Sequence, residues 1–310
     1  MDTQPTVLPV NVPADSLAGW RNDLPFSVRL LHSWSMRAPI MRAALPTFFG
    51  KTLLRNSRVL IRSESGACFA VRQRDLGTYL AMINGGYNYP RHVLEVCKRH
   101  LPEGGVFFDI GANIGFLTIE LAHHFGNGIR IVAVEPQRDL AEAIVISAAI
   151  TNKTSVTVFD TLIGERNGIA ELFLVTNSAH ASVKGRGGST HRVARPIVTL
   201  DALIKSQNMP PPTLIKIDVE GAEFSVLKGA RQTIQAHQPF LLFEADDNMA
   251  RFGYTKQDLF SEISGVGEYV FYDVEKTPDG HLAALRKRSG GAESTSDDIL
   301  AVPARRVVRC

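Results

Sequence analysis

The segment from Val106 to Gly115 constrains the fold more than any other part of the chain. Val106-Phe107-Phe108 is a short apolar run without polar alternation, the pattern of a strand buried on both faces. Asp109-Ile110-Gly111-Ala112-Asn113-Ile114-Gly115 follows at once, and Ile114, Leu117, Leu121, Ala122 and Phe125 then recur at three- and four-residue spacings. That spacing gives a helix with one apolar face, which Gly126 and Gly128 can close. Strand, glycine turn and helix together make the repeating unit of a parallel sheet.

The unit recurs. Arg130–Val134 reads as a second strand with Glu135-Pro136 as its exit, and Asp139–Ile150 as the next helix. Ser155–Phe159 is a third strand ending at Asp160; Leu214–Asp218 is a fourth, followed by a helix over Phe224–Ile234; Phe240–Glu244 is a fifth. Strands separated by helices of this length pair in parallel through right-handed crossovers. The predicted class is therefore α/β, a doubly wound and mostly parallel sheet. Tyr269–Val274 and Leu282–Leu285 are expected to add an antiparallel C-terminal hairpin at its edge.

Around this core the chain divides into four stretches. Residues 1–25, rich in proline and polar side chains, read as a loosely ordered leader. Residues 26–100 form an N-terminal cap or extension, with a helix at Ser27–Met41, a strand pair at Val59–Ile61 and Cys68–Val71, and a helix at Arg91–His100. Residues 101–286 are the main domain, and 287–310 a flexible tail. Within the main domain, Ala170–Val175 and Val193–Val198 are strand-like pieces flanking Asn177–His191. A polar, glycine-rich segment of that length inside a domain reads as a substrate loop.

Composition narrows the partners. Lys and Arg (34) nearly balance Asp and Glu (31), a field too weak to argue for nucleic acid. Three cysteines without C-x-x-C spacing indicate neither a disulfide framework nor a zinc knuckle, and fit a cytoplasmic setting. No apolar run approaches the roughly 20 residues that span a bilayer, so only peripheral membrane contact stays open. The sequence is silent on oligomeric state.

An open parallel sheet binds ligands beyond the carboxyl ends of its strands, where several acids cluster. Gly111 and Gly115 would allow positive φ or close approach of a ligand, and the helix start offers backbone N–H groups to a carboxylate. Asp109 suits an ammonium, Glu135 the two hydroxyls of a ribose, and Asp160 the amino group of an adenine. Together they describe S-adenosylmethionine. Against this, a glycine turn can be purely structural, Glu135 can cap the helix that begins at Pro136, and Asp160 can close a turn.

Val106–Phe116 with Glu135-Pro136, then Lys216-Ile217-Asp218-Val219-Glu220-Gly221-Ala222-Glu223 with Val226–Ala230, resemble the signature blocks of FkbM-type S-adenosylmethionine-dependent methyltransferases. The similarity covers about Tyr89 to Tyr254. It implies the class I methyltransferase (Rossmann-like) fold, S-adenosylmethionine as cofactor, and an O-methyltransferase acting on a hydroxyl of a sugar, glycan or secondary metabolite. Carried over by position, Asp109, Gly111, Asn113, Gly115 and Glu135 would contact the cofactor; Ala112 in the same loop and Asp160 at the third strand end complete the expected cofactor-binding set.

Methyl transfer is sped by alignment and by a base for the acceptor proton. Asp218 is the first candidate base, with Glu220 as a second and Lys216 as a catalyst or a buried partner for these acids. Asp218, Glu220 and Glu223 can equally cap the next helix. No spacing demands a metal, although Asp218, Glu220 and Glu244 could converge on a divalent ion. His180 and His191 lie in the presumed substrate loop. The alternatives are an NAD-dependent oxidoreductase, which would want G-x-G-x-x-G, and a catalytically silent binding module.

Overall fold

The structure, a computed structural model, describes the side chains of residues 60–71, 90–151, 155–174, 183, 191–288 and 296–307, and the backbone also of 7–8, 20–21, 58–59, 72 and 308–309. The expected helix Ser27–Met41, His180 and most of the Asn177–His191 loop lie outside the described residues. In chain order the elements are β1 (Val7–Leu8), β2 (Trp20–Arg21), β3 (Arg58–Arg62), β4 (Cys68–Arg72), α1 (Arg91–His100), β5 (Val106–Ile110), α2 (Phe116–Phe125), β6 (Arg130–Val134), α3 (Arg138–Ile150), β7 (Val156–Phe159), β8 (Leu162–Ile163), β9 (Gly168–Leu174) and β10 (His191–Val198). There follow α4 (Leu200–Ser206), β11 (Leu214–Ile217), α5 (Glu223–Gly229), α6 (Arg231–His237), β12 (Phe240–Glu244), α7 (Lys256–Ser264), β13 (Tyr269–Lys276), β14 (Leu282–Lys287) and β15 (Asp298–Pro303).

The central sheet runs β1-β7-β6-β5-β11-β12-β15-β13-β14. Its middle, β7-β6-β5-β11-β12, is parallel. Strand order reverses between β5 and β11, and at such a switch point the carboxyl ends open a crevice. Residues of one strand alternate between two cores. Phe107, Ile131, Leu214, Leu242 and Leu300 join the side covered by α1, α2 and α3; Phe108, Val132, Ile215, Phe243 and Ile299 join the side covered by α4, α5, α6 and α7. Phe107 and Phe108 are both fully buried, and each such ring contributes roughly 1.5–3 kcal/mol by leaving water.

Three expectations need correction. The segment 287–310 is not a flexible tail throughout: Asp298–Pro303 forms β15, inserted between β12 and β13, because Ile299, Leu300, Ala301 and Val302 supply apolar side chains to both cores. The described parts of the 26–100 stretch extend the main core and do not stand apart as a cap, since Phe69 and Val71 of β4 and Val93, Val96 and Cys97 of α1 belong to the same core cluster as Phe107 and Ile119. Two dipeptides of the leader are strands, β1 pairing with β7 and β2 with β3.

The helix expected over Phe224–Ile234 is two helices. Gly229 approaches the backbone of Gly164 so closely that a Cβ would stand 2.0 Å from its carbonyl oxygen, which fixes the first helix against β8. The second starts afresh because the Asp201 carboxylate accepts from Gln232 N at 3.0 Å, Thr233 N at 2.8 Å and Thr233 Oγ1 at 2.7 Å. The short helices α4 and α7 had no expectation. Among the described residues no helix is long and apolar enough to cross a membrane.

Candidate active site

A cavity of about 960 Å³ opens at the switch point. Asp109, Gly111, Ala112, Asn113 and Glu135 line it together with Lys216, Asp218, Glu220 and Glu244. β8, β9 and β10, which form a separate three-stranded sheet, add Leu162, Leu172 and Ile197 to the wall, and of the expected substrate loop the one described lining residue is Val183. His191 stands exposed at the start of β10 and is not among the lining residues.

The glycine turn is built chiefly for the protein's own packing. Gly111 has φ +84°, and a Cβ there would lie 1.8 Å from the Asp218 carbonyl oxygen. Gly111 thus lets the turns after β5 and β11 touch. Gly115 has φ +77°, and a Cβ would meet Ile144 at 2.7 Å, so it lets α2 and α3 approach; it does not line the cavity. Gly111 N and Ala112 N both donate to Val134 O, at 2.9 and 3.1 Å. These two donors are used inside the protein.

Glu135 joins two turns. Its Oε2 accepts from Asn113 N and its Oε1 from Gln137 N, both at 2.9 Å. The Gln137 side chain also hydrogen-bonds this carboxyl group. The carboxyl group is 4% exposed, and burial pushes its pKa up to about 8 in spite of those donors. Asp109 is buried as well and accepts from Thr118 Oγ1 at 2.7 Å. Its pKa too is raised by burial, with the Lys216 ammonium pulling the other way. Asp160 is not brought to the cavity: it is buried, lies 3.8 Å from Arg138 Nη1, and yields its place in the wall to Thr161.

Sheet register sets the other half. Lys216 pairs with Asp109 on one side and Leu242 on the other. Ile217 pairs with Phe243, which puts Asp218 beside Glu244, and Glu244 pairs with Asp298 of β15. Asp218, Glu244 and Asp298 therefore form a row across neighbouring strands, on the sheet face covered by α1, one pleat beyond Lys216. Lys216 Nζ bonds Asp218 Oδ2 at 2.6 Å. Burial pulls the ammonium's pKa down, but Asp218 and Asp109 outweigh it and hold it above its ordinary value. Glu244 is pushed well above the usual carboxylate range, by the charge of Asp218 first and by burial next.

The turn after β11 explains the acidic pattern there. Glu220 has φ +58° and Gly221 φ +101°, and Glu223 Oε1 ties the turn by accepting from Val219 N at 3.0 Å and Gly221 N at 3.1 Å. Glu223 is thus a structural clasp, its pKa pushed up to about 7 by burial against those donors. Tyr254 Oη donates to Gly221 O from outside the turn. Among the described residues no group of three His, Cys, Asp or Glu side chains is arranged to hold a metal.

His92 and Asp298 escaped sequence reasoning although both line the cavity. Nothing in the local sequence distinguishes His92. Asp298 precedes Ile299-Leu300-Ala301-Val302, an apolar run that could have marked a buried strand.

A parallel sheet reversing at β5, an acid at the end of β6, and antiparallel strands on the far edge define the class I methyltransferase (Rossmann-like) architecture. A family model described as the methyltransferase FkbM domain matches residues 109–276, and the chain belongs to that family. Hexuronic acid methyltransferase AglP of Haloferax volcanii is 24% identical over 149 residues, covering 46% of this chain and 57% of AglP. Methyltransferase FkbM from Methylobacillus flagellatus superposes with TM-score 0.46 and 21% identity, over 85% of this chain and 60% of that one. A SAM-dependent O-methyltransferase from Thermotoga maritima gives TM-score 0.39 and 12% identity, over 79% of this chain and 77% of its own. The chain thus spans only part of the first two proteins.

Proposed function

We propose that the protein binds S-adenosylmethionine in the switch-point cavity and methylates a hydroxyl of a sugar or glycan. The observation that carries this reading is that one cavity at the switch point gathers Glu135, Asp109 and the Lys216–Asp218 pair, with Asp109 and Lys216 side by side on neighbouring strands. The residues fit the cofactor. Glu135 lines the cavity with a carboxyl group that can hydrogen-bond ribose hydroxyls, and Asp109 is a buried acid suited to an ammonium. Ala112 and Asn113 form the adjoining wall; Gly111 and Gly115 shape the turn. When bound, S-adenosylmethionine supplies a methyl group on a cationic sulfur, which leaves without the carbon–sulfur electron pair.

The chain's own residues then act on the acceptor. Asp218, fixed by Lys216, accepts a hydrogen bond from the acceptor hydroxyl and orients it, and Glu220 contributes at the same edge. Holding reacting atoms in line is worth several orders of magnitude in rate. The family and the hexuronic acid methyltransferase relative support a sugar acceptor.

Calorimetric titration with S-adenosylhomocysteine and with NAD tests the cofactor assignment. Binding of the first is expected; binding of NAD alone would overturn the reading. Asp218→Asn should lower turnover with S-adenosylhomocysteine affinity intact, and full turnover in that variant would remove Asp218 from its role.

A further inference from the structure

His92 is 4% exposed and lines the cavity. Its Nε2 lies 2.8 Å from Asp298 Oδ2, and its Nδ1 is buried without a hydrogen-bond partner among the described residues. The carboxylate only accepts, so Nε2 is the protonated nitrogen and a neutral ring leaves the lone pair on Nδ1. A buried nitrogen without a partner costs stability that an apolar residue would retain. His92 is nonetheless held firmly. His92 N donates to Gly280 O at 3.0 Å, and one turn on, Glu95 bonds His281 Nδ1 at 2.6 Å and Leu282 N at 3.1 Å. α1 is thereby pinned to the β13–β14 hairpin with this one imidazole turned to Asp298.

The three acids of the row stand in different situations. Asp218 is neutralised by Lys216 at 2.6 Å. Glu244 has its charge opposed by Asp218 and by burial. Asp298 is held by the imidazole of His92, with no Lys or Arg paired to it among the described residues, and its side chain remains 26% exposed. Asp298 and His92 both fall outside residues 109–276, the span that the family model matches.

Resting on the methyltransferase reading, we propose that Asp298 takes the acceptor's proton and that His92 is the residue that positions Asp298 to do so. The acceptor O–H bond breaks, its proton passes to Asp298, and the electron pair left on the acceptor oxygen forms the new bond to the methyl carbon. His92 Nε2–H holds Oδ2 throughout, leaving Oδ1 to the acceptor.

Asp298→Asn, His92→Gln and His92→Phe separate this from a structural role. Methyl transfer is followed with ¹³C-methyl-labelled S-adenosylmethionine and, as acceptor pool, an extract of source cells lacking the gene. Calorimetry with S-adenosylhomocysteine checks each variant, and long-range ¹H–¹⁵N NMR reads the tautomer of His92, assigned from its loss in His92→Gln. All variants should bind S-adenosylhomocysteine within about threefold of wild type, Asp298→Asn should lose roughly a hundredfold or more in transfer, and His92→Phe about tenfold or more. His92→Gln keeps a donor where Nε2 stood and should restore most of what His92→Phe loses. Transfer by Asp298→Asn at the wild-type rate, or a proton found on Nδ1 of His92, would overturn the proposal. A wild-type protein that fails to bind S-adenosylhomocysteine would instead remove the methyltransferase reading beneath it.

Discussion

Glu135→Gln removes one charge and little else, and its effects can be worked from the structure. In the folded protein burial raises this carboxyl group from 4.5 to about 8; in the unfolded chain it titrates near 4.5. Between those values the folded state binds more protons than the unfolded state, so stability falls as pH rises. The contribution is complete below about pH 4.5 and gone above about 8. At about 1.4 kcal/mol per unit the full span is on the order of 5 kcal/mol, an upper bound that water entry would reduce. Glutamine has no such proton. At pH 5 the variant should be less stable than wild type by roughly 1–3 kcal/mol, because its amide N–H₂ replaces an acceptor that now faces Asn113 N or Gln137 N. By about pH 9 that gap should close or invert. Urea denaturation of both proteins at about pH 5, 7 and 9 measures it, and parallel pH slopes would refute the argument that burial governs Glu135. Above about pH 8 the variant should also bind S-adenosylhomocysteine about 10- to 150-fold more weakly, the equivalent of about 1.5–3 kcal/mol for a lost charged acceptor.

Other consequences are as direct. Gly111→Ala places a Cβ 1.8 Å from a backbone oxygen at φ +84°, and should cost at least about 3 kcal/mol in urea denaturation together with S-adenosylhomocysteine binding; a wild-type-like midpoint would mean the two turns separate easily. Asp201→Ala uncaps α6 and should destabilise by about 1–2 kcal/mol, and a stability equal to wild type would show the Gln232 and Thr233 donors satisfied by water. Cys97 is fully buried and burial raises its thiol pKa, so peptide-level mass spectrometry after brief iodoacetamide treatment should find it unmodified in the native protein and alkylated in urea. Equal labelling in both states would contradict its burial.

What the sequence disclosed depends on how local each signal is. Buried strands with helices between them carry their periodicity within ten or so residues, so β5, α2, β6, α3, β11 and β12 could be read directly, as could α1 and the β3–β4 pair. The break between α5 and α6 could not: it depends on Gly164 and on Asp201, distant in sequence. β15 was hidden by the Gly, Ser and Asp residues before it, which resemble a tail when its partners β12 and β13 are unknown. In the site, strand-end acids were visible because strands end at fixed places in the pattern. Their duties were less visible. Glu223 proved to be a clasp because its partners are the N–H groups of an αL turn, and Gly111 serves Asp218 because β5 and β11 are neighbours, a fact of topology. His92 and Asp298 meet only through a helix and a strand 206 positions apart.

β15 sits inside the sheet although it is made after both of the strands that it separates. Until residues 298–303 leave the ribosome, β12 and β13 each present an unpaired edge, and the row beside the cavity lacks its third acid. A chain ending anywhere before this point leaves those two edges open and the cavity without Asp298 in its wall. Completion of the sheet and of the acidic row are thereby a single event.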